Sequence, residues 1–454
     1  MTNLSEVRMT ARNPPSRPHP LYTVSAPFLG YGARKMAGFG LAAQADRENL
    51  AAGDQEPVLH TGNSHLLGIG ATGSGKTNLL IANLLLYEGS AIVIDIRGDA
   101  VRATERFRRK VLKQDTYVLD PFKVTTRKSD RLDPLDIATL PNTEIESEAQ
   151  SIGSTLTTDH RSSKDPYWHT QGGNLVASLV AHLLTQKDLE KRSMNYLMDI
   201  LFSEDAVLEL AKLLDTEVPK NSFAYLGIAS FLQLPENTAN TRFCVLSTAH
   251  SMLHAFRSSA IRATMGPSTV NLKDLMKGRP VTIYLVLPIE RLSSHGVVLK
   301  LWLELLLQVL LRRTAIPAVP TMVLVDEAGQ LGNSPAMRTV ATFLRASGVR
   351  LWSMWQDLSQ IQALYPIDWP TLINNTSALT FLPGTGLAAR ELAALAAVPM
   401  AAISNLAVDE QLVCETGHEP AVVKMAQYWK DPRFAGRFDL LPRYARTSPA
   451  APGR

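Results

Sequence analysis

Two cysteines, Cys244 and Cys414, are all that the 454 residues carry. That excludes a disulfide framework and a four-cysteine zinc site, and it points to a reducing, cytoplasmic setting. A strong charge of one sign is also missing. Forty-six basic against 42 acidic residues leave +4, so net charge does not announce a nucleic-acid partner. No apolar stretch at the N-terminus has the form of a signal peptide. Nor is there an uninterrupted apolar run of the ~20 residues that a spanning helix needs. Val297 to Leu311 comes nearest, but Lys300, Glu304, Gln308 and Arg312 recur every four residues, one polar stripe on an otherwise buried helix. Leu392 to Val408 is alanine-rich and broken by Pro399, which predicts two short core helices. The chain is therefore expected to be soluble, with no membrane span. What it does have is 45% hydrophobic residues, ample for two to four domains at roughly 100–200 residues each and unlike a disordered chain.

Residues 1 to about 20 contain Pro14, Pro15, Pro18 and Pro20 without apolar periodicity and read as a flexible arm. From Leu59 onward, short apolar strands alternate with turns and helical patterns. His65 to Gly70 is the first strand, and an apolar helix follows from Asn78 to Tyr87. Ala91 to Ile96 (AIVIDI) is a continuous β-rich run, as a strand covered on both faces should be. Tyr117 to Leu119 makes a third. This alternation predicts an α/β, doubly wound and mainly parallel sheet. Between Asp136 and Arg262 the patterns are helical. Strands resume at Val281 to Leu287, Thr321 to Val325, Val349 to Met354, Leu379 to Leu382 and Val422 to Met425. The expected organisation is an arm and lead-in (1–58), a nucleotide-binding domain in two parts (59–135 and 269–430), an inserted all-alpha domain (136–268) and a basic Pro/Arg-rich tail (431–454).

The chemistry concentrates in Gly70-Ala71-Thr72-Gly73-Ser74-Gly75-Lys76-Thr77, a full match to GxxxxGK[ST] between a strand and a helix. Glycines let backbone N–H groups wrap a phosphate, and the helix that follows aims its N-terminal dipole at the same charge. Gly70, Thr72, Gly73, Ser74 and Gly75 form the cradle, Lys76 bridges β- and γ-phosphates, and the Thr77 hydroxyl ligates Mg²⁺. A metal partner is expected at the end of a neighbouring strand. Thr321 to Val325 followed by Asp326-Glu327 supplies it, with Asp326 in the Mg²⁺ shell and Glu327 polarising the attacking water. The second acid favours hydrolysis of ATP over mere binding. Gln356, just past the strand Val349 to Met354, can reach the γ-phosphate or the water. Arg345, at the end of a helix from Arg338, is the candidate for an arginine that completes a neighbouring subunit's site, an effect of about 10³–10⁵ in rate; Arg350 is the reserve.

These stretches resemble the coupling proteins of type IV secretion systems, the TraG/TraD-like conjugative DNA-transfer ATPases. The similar segments are His65 to Thr77, Asp95-Ile-Arg-Gly-Asp99, Leu132-Asp-Pro-Leu-Asp136, Val325-Asp-Glu-Ala-Gly-Gln-Leu-Gly332, Trp355-Gln-Asp-Leu-Ser-Gln360 and Asn374-Asn375, with a fainter likeness at Tyr31-Gly-Ala-Arg34. Together they cover about half the chain. The resemblance implies a RecA-like fold, ATP and Mg²⁺ as cofactors, and a homo-hexameric ring. It also implies action at the inner membrane, where a single-stranded DNA–relaxase complex or protein effectors are delivered to the secretion channel and its other ATPases or inner-membrane components. Arg345 stands where the family places its arginine finger. The family's usual two transmembrane helices are not read in this sequence, so attachment to the membrane is expected to be peripheral, through a partner. Ala328 replaces Phe after the acidic pair and Asp133 replaces Asn before Pro134; neither removes a catalytic group.

Other features read more plainly. Trp352 and Trp355 near Arg350 could stack bases, but odd spacing on a strand puts them on opposite faces, so at least one belongs to the core. Arg102 to Lys113 holds six basic residues and reads as a solvated helix face rather than a phosphate track. Arg433, Arg437, Arg443, Arg446 and Arg454 make the tail the better electrostatic candidate for a partner. His160 and His169 have no cysteine near them in sequence and do not suggest a metal site. Rival functions are a FtsK/HerA-like double-stranded DNA translocase, a nucleotide-dependent adaptor with little turnover, and a small-molecule phosphotransferase.

Overall fold

The computed structural model describes residues 23–35, 57–60, 62, 64–157, 166–234, 241–384 and 388–441. The arm, Arg443, Arg446, Arg454 and His160 lie outside them. Eleven strands form one sheet: β1 Phe28–Lys35, β2 Pro57–Leu59, β3 His65–Ile69, β4 Ala91–Ile94, β5 Asp115–Leu119, β6 Val281–Leu285, β7 Thr321–Val325, β8 Val349–Trp355, β9 Thr376–Phe381, β10 Glu410–Glu415 and β11 Ala421–Lys424. Their order is β2-β1-β11-β10-β9-β3-β8-β7-β4-β6-β5. From β9 to β5 every pairing is parallel; from β9 to β2 every pairing is antiparallel. The parallel strands are the ones whose apolar runs are legible. β3, β4, β6, β7 and β8 are buried along their whole length, and alternate residues supply two separate cores. Ile92 and Ile94 face one, Ala91 and Val93 the other, the period of two that a strand imposes.

One face carries the helix α1 Lys76–Leu86, followed by α2 Asp99–Arg106 and a π-helical turn, Phe107–Val111. The other face carries the helices between β5 and β6: α3 Ile145–Thr157, α4 Pro166–Leu184, α5 Met194–Leu201, α6 Ala206–Thr216, α7 Phe223–Leu232, α8 Thr241–Met252 and the short α9 Ser259–Arg262 and α10 Leu272–Met276. Beneath them lies α11 Leu292–Leu311. Among the described residues, Ile289–Leu311 is the stretch with the length and apolarity of a membrane span, but 56% of its most apolar window is buried. Trp302 there is fully buried and donates its indole N–H to Leu132 O at 2.9 Å. The polar stripe behaves as its spacing predicts: Gln308 bonds Glu304 at 2.9 Å, and Arg312 pairs with Glu148 of α3. After β7 come α12 Pro335–Phe343, α13 Leu358–Leu364, α14 Trp369–Asn374, α15 Ala389–Leu395 and α16 Met400–Ser404. The last two flank Pro399, the two short helices that its position predicts.

The helical stretch leaves and re-enters the sheet at one point. Asp133, fully buried, caps a 3-10 turn (Pro134–Thr139) by accepting from Leu135 N at 3.0 Å, and it also accepts from Met194 N at 2.9 Å and Gly266 N at 2.8 Å. Burial pushes its carboxyl up to about 7 while the three N–H donors pull it down. Leu132 N to Thr264 O (3.0 Å) and Asp133 N to Ser268 Oγ (2.9 Å) join the outgoing and returning chains.

Of two further expectations, one holds and one fails. Both Trp352 and Trp355 are buried, at 1% exposure each, one in each core; odd spacing puts them on opposite faces, and both faces are covered. Within Arg102 to Lys113, Arg108 is not on a solvated face but is fully buried. The π-helical turn carries it inward, where its N–H groups meet Thr282 Oγ1, Leu84 O, Tyr87 O, Gly89 O and Gln114 Oε1 at 2.6–2.9 Å. A guanidinium at the carbonyl end of α1 also opposes the negative pole of that helix.

Candidate nucleotide site

Strand register assembles the site. Ile69 pairs with Trp355 and Ile94 with Val325. The next residues, Gly70 and Gln356, Asp95 and Asp326, therefore leave the sheet side by side at its carboxyl edge, where open parallel sheets hold ligands. Gly70 N is tied to Trp355 O at 3.0 Å. Gly73 and Gly75 have φ of +85° and +102°, values that favour glycine and turn the loop amides inward. A Cβ at Gly73 would meet nothing within 4 Å, so the loop has open space beside it at that position. α1 starts directly after Gly75 with no acidic residue in its first turn, leaving its N–H groups and positive pole for an anion. Ser74 Oγ is buried without a hydrogen-bond partner. An open loop, an uncapped helix start and an unpaired buried hydroxyl fit a phosphate group.

The side chains expected from the sequence converge here. Thr77 Oγ1 donates to Asp326 Oδ2 at 2.8 Å, so two hard oxygen donors sit together, as a magnesium ion requires. Lys76 Nζ donates to Gly70 O at 2.6 Å and lies 4.0 Å from Glu327 Oε1. Gln356 Nε2 donates to Glu327 Oε2 at 3.3 Å. Burial pushes the Asp326 carboxyl up to about 7, and the neighbouring Asp95 adds to that push, while the Thr77 hydroxyl opposes it. Burial likewise lowers the Lys76 ammonium, against the attraction of Glu327 and Asp326. A polyanion with its cation answers both stresses: phosphate oxygens favour charged Lys76, and a cation favours ionised Asp326.

Arg345 is not brought to this site. It is exposed in a 3-10 turn, Leu344–Ser347, ahead of β8. The seven residues of β8 span roughly 20 Å, so Arg345 lies at the opposite edge of the sheet from Gln356. It is therefore out of reach of the phosphate loop of its own chain. Arg350 is buried at the start of β8 beside Tyr87, which removes it as an alternative.

Four residues at the site are not picked out by the sequence reading. Arg97, three residues past the end of β4, lines the same cavity as Lys76 and Glu327; Asp95 sets its loop by accepting from Arg97 N, Gly98 N and Val101 N. Gln360 accepts from Gln356 N at 3.2 Å, and its amide packs where a Cβ on Gly329 would fall, 2.5 Å away. Tyr428 and Trp429, just beyond β11, form a further wall of the cavity. The sequence signal for Arg97 was its place between Asp95 and Asp99; for the aromatic pair there was none beyond adjacency.

The family model described as Type IV secretory system Conjugative DNA transfer matches residues 31–382. The chain belongs to that family. It is similar to the type IV secretion system-coupling protein VirD4 of Bartonella quintana, 23% identical over 309 residues, covering 67% of this chain and 48% of the relative. It is similar also to the conjugal transfer protein TraG of Escherichia coli, 22% identical over 322 residues, 67% of this chain and 50% of the relative. The chain thus spans about half the length of the curated relatives it matches. Among solved structures, the plasmid coupling protein TrwB in complex with ADP and Mg²⁺ superposes with a TM-score of 0.61 at 16% identity, over 80% of this chain and 85% of that one. The fold is accordingly the RecA-like P-loop fold, interrupted by helices, that the motifs predict.

Proposed function

We propose that this member of the family is an ATP-hydrolysing coupling protein of a type IV secretion or conjugation system. It recruits single-stranded DNA–relaxase complexes or protein effectors and moves them to the secretion channel. The observation that carries the reading is the meeting of Lys76, Thr77–Asp326 and Glu327–Gln356 on one edge of the sheet. Gly70 to Thr77 hold the triphosphate through backbone N–H groups and the Lys76 ammonium. Thr77 and Asp326 would hold Mg²⁺, which neutralises phosphate charge when bound. Glu327 orients a water and accepts its proton, while Gln356, bonded to Glu327, reports whether a γ-phosphate is present. Arg345 completes the site of the next subunit in a homo-hexameric ring, because its own site lies at the far edge of the sheet. The division into a two-part nucleotide domain (59–135 and 269–430) and an all-alpha domain (136–268) is supported by the single crossing at Asp133. The chain works on the cytoplasmic side of the inner membrane.

Steady-state ATP hydrolysis against protein concentration, with and without single-stranded and duplex DNA, tests this. A steep rise with concentration and with single strands is expected, and Glu327→Gln should lower turnover by about 10²–10⁴. Stimulation by duplex alone would favour a double-stranded DNA pump. Parental turnover in Glu327→Gln would remove the assignment of the base. Mixed assemblies in which Arg345→Ala subunits fail to suppress wild-type ones would remove the trans arginine.

A further inference from the structure

The cavity beside the phosphate loop, about 280 Å³, has two unlike walls. Lys76, Arg97 and Glu327 form a charged one. Ile81, about one and a half turns along α1 from Lys76, forms the other with Tyr428 and Trp429, and it is apolar and aromatic. A triphosphate uses only the first. The second is supplied by a segment remote in sequence, and the structure shows how firmly it is held. Asn78 Nδ2 donates to Ala426 O at 2.6 Å, so the helix that begins at the phosphate loop also pins the backbone just ahead of the aromatic pair. Tyr428, 2% exposed, packs perpendicular to Trp429 (centroids 5.1 Å apart) and against Phe438 (5.2 Å). Downstream, Phe434 is fully buried, Arg106 pairs with Asp439 at 2.7 Å, and Asp439 N bonds Ala103 O at 3.1 Å. Between these anchors Trp429 stays half-buried. The largest aromatic side chain of the segment is thus the one left with surface at the mouth of the cavity.

We propose that Trp429 is the nucleobase platform of this site: the purine of a bound nucleoside triphosphate stacks on its indole, with Tyr428 fixing the ring. This rests on the nucleotide-site reading given above and adds a ligand subsite to it. Stacking engages the π-face, which every base presents, and not the hydrogen-bonding edge. The consequence is little discrimination between adenine and guanine.

Isothermal titration of the chain with ATP, GTP and inorganic tripolyphosphate, each with Mg²⁺, tests the platform. Trp429→Ala should weaken ATP and GTP alike by about 10-fold, the scale of one base–aromatic stack, and leave tripolyphosphate unchanged. Trp429→Phe, which keeps a ring, should stay within about 3-fold of wild type. Unaltered ATP affinity in Trp429→Ala would overturn the proposal, and so would an equal loss for ATP and tripolyphosphate, which would mark a collapsed cavity instead of a lost base contact. Lys76→Ala serves as the separate control. If it binds all three ligands as wild type does, the nucleotide site itself is misplaced, whatever Trp429 does.

Discussion

The parallel and antiparallel parts of the sheet are built by different rules. In the parallel part, apolar strands are covered on both faces and most of the polar residues gather toward the two edges. The upper edge holds the nucleotide site; the lower edge holds a buried polar layer in which His65, Arg108 and Thr282 all find partners. In the antiparallel flank, polar residues are threaded through the strands themselves. Gln411 of β10 is fully buried and donates to Leu29 O, and His60, also fully buried, sits between Glu415 at 2.5 Å and Ser377 at 3.1 Å. The first part spells its fold in composition, and the second specifies it by individual contacts. A mutation at the lower edge should therefore cost stability without touching chemistry. One in the flank should reach the site through the segment that ends at Trp429.

The sharpest way to break this contrast is Arg108→Met. Removing a guanidinium whose partners are five buried acceptors strands several of them at once, and the expected loss is about 3–5 kcal/mol, read as a shift in urea midpoint. Loss of nucleotide affinity in the residual folded protein, with no loss of stability, would contradict the division between edges.

His65 gives the next effect, and it depends on pH. Its ring accepts from Leu351 N at 3.0 Å, and burial, helped by the positive charge of Arg345, lowers its pKa from 6.5 to about 4. The unfolded chain thus takes up the proton first. Stability is whole above pH 6.5 and falls by up to about 3 kcal/mol as the pH drops toward 4. His65→Asn keeps a potential acceptor but cannot titrate, so it should flatten this slope in denaturation measured across pH 4–7. An unchanged slope would assign the acid sensitivity elsewhere.

The smallest effect probes the flank. Gly30 has φ +149°, and a Cβ there would lie 2.6 Å from Lys424 O and 2.8 Å from the Val423 side chain. Gly30→Ala should cost about 1–3 kcal/mol, and by displacing β11 it should also weaken ATP binding a few-fold. Weakened binding without destabilisation, or the reverse, would separate two effects that the shared strand joins.

What the sequence disclosed follows the same line. AIVIDI and TMVLVDE could be read because their strands are buried on both faces and their acidic residues come next in the chain. β1 (FLGYGARK) and β10 (EQLVCE) could not be read as strands: two glycines interrupt one, and the other begins with residues that are polar in composition yet buried in place. The phosphate loop is contiguous and therefore legible. Trp429 reaches the site only through strand register and a crossing segment, which no local pattern encodes. The basic run at Arg102 to Lys113 misled because its π-helical turn shifts the phase of the helix, and phase decides which of the six charges faces in.

Asp133 has an architectural consequence. Its carboxylate receives N–H groups from Leu135, at the outgoing chain, and from Gly266, 133 residues later. A chain leaving the sheet there returns to its point of departure, so the helices between form an insert whose two ends are tied at one carboxylate. Evolution could exchange or resize that insert while strand order, phosphate loop and acidic pair stayed untouched. An engineer could graft there for the same reason.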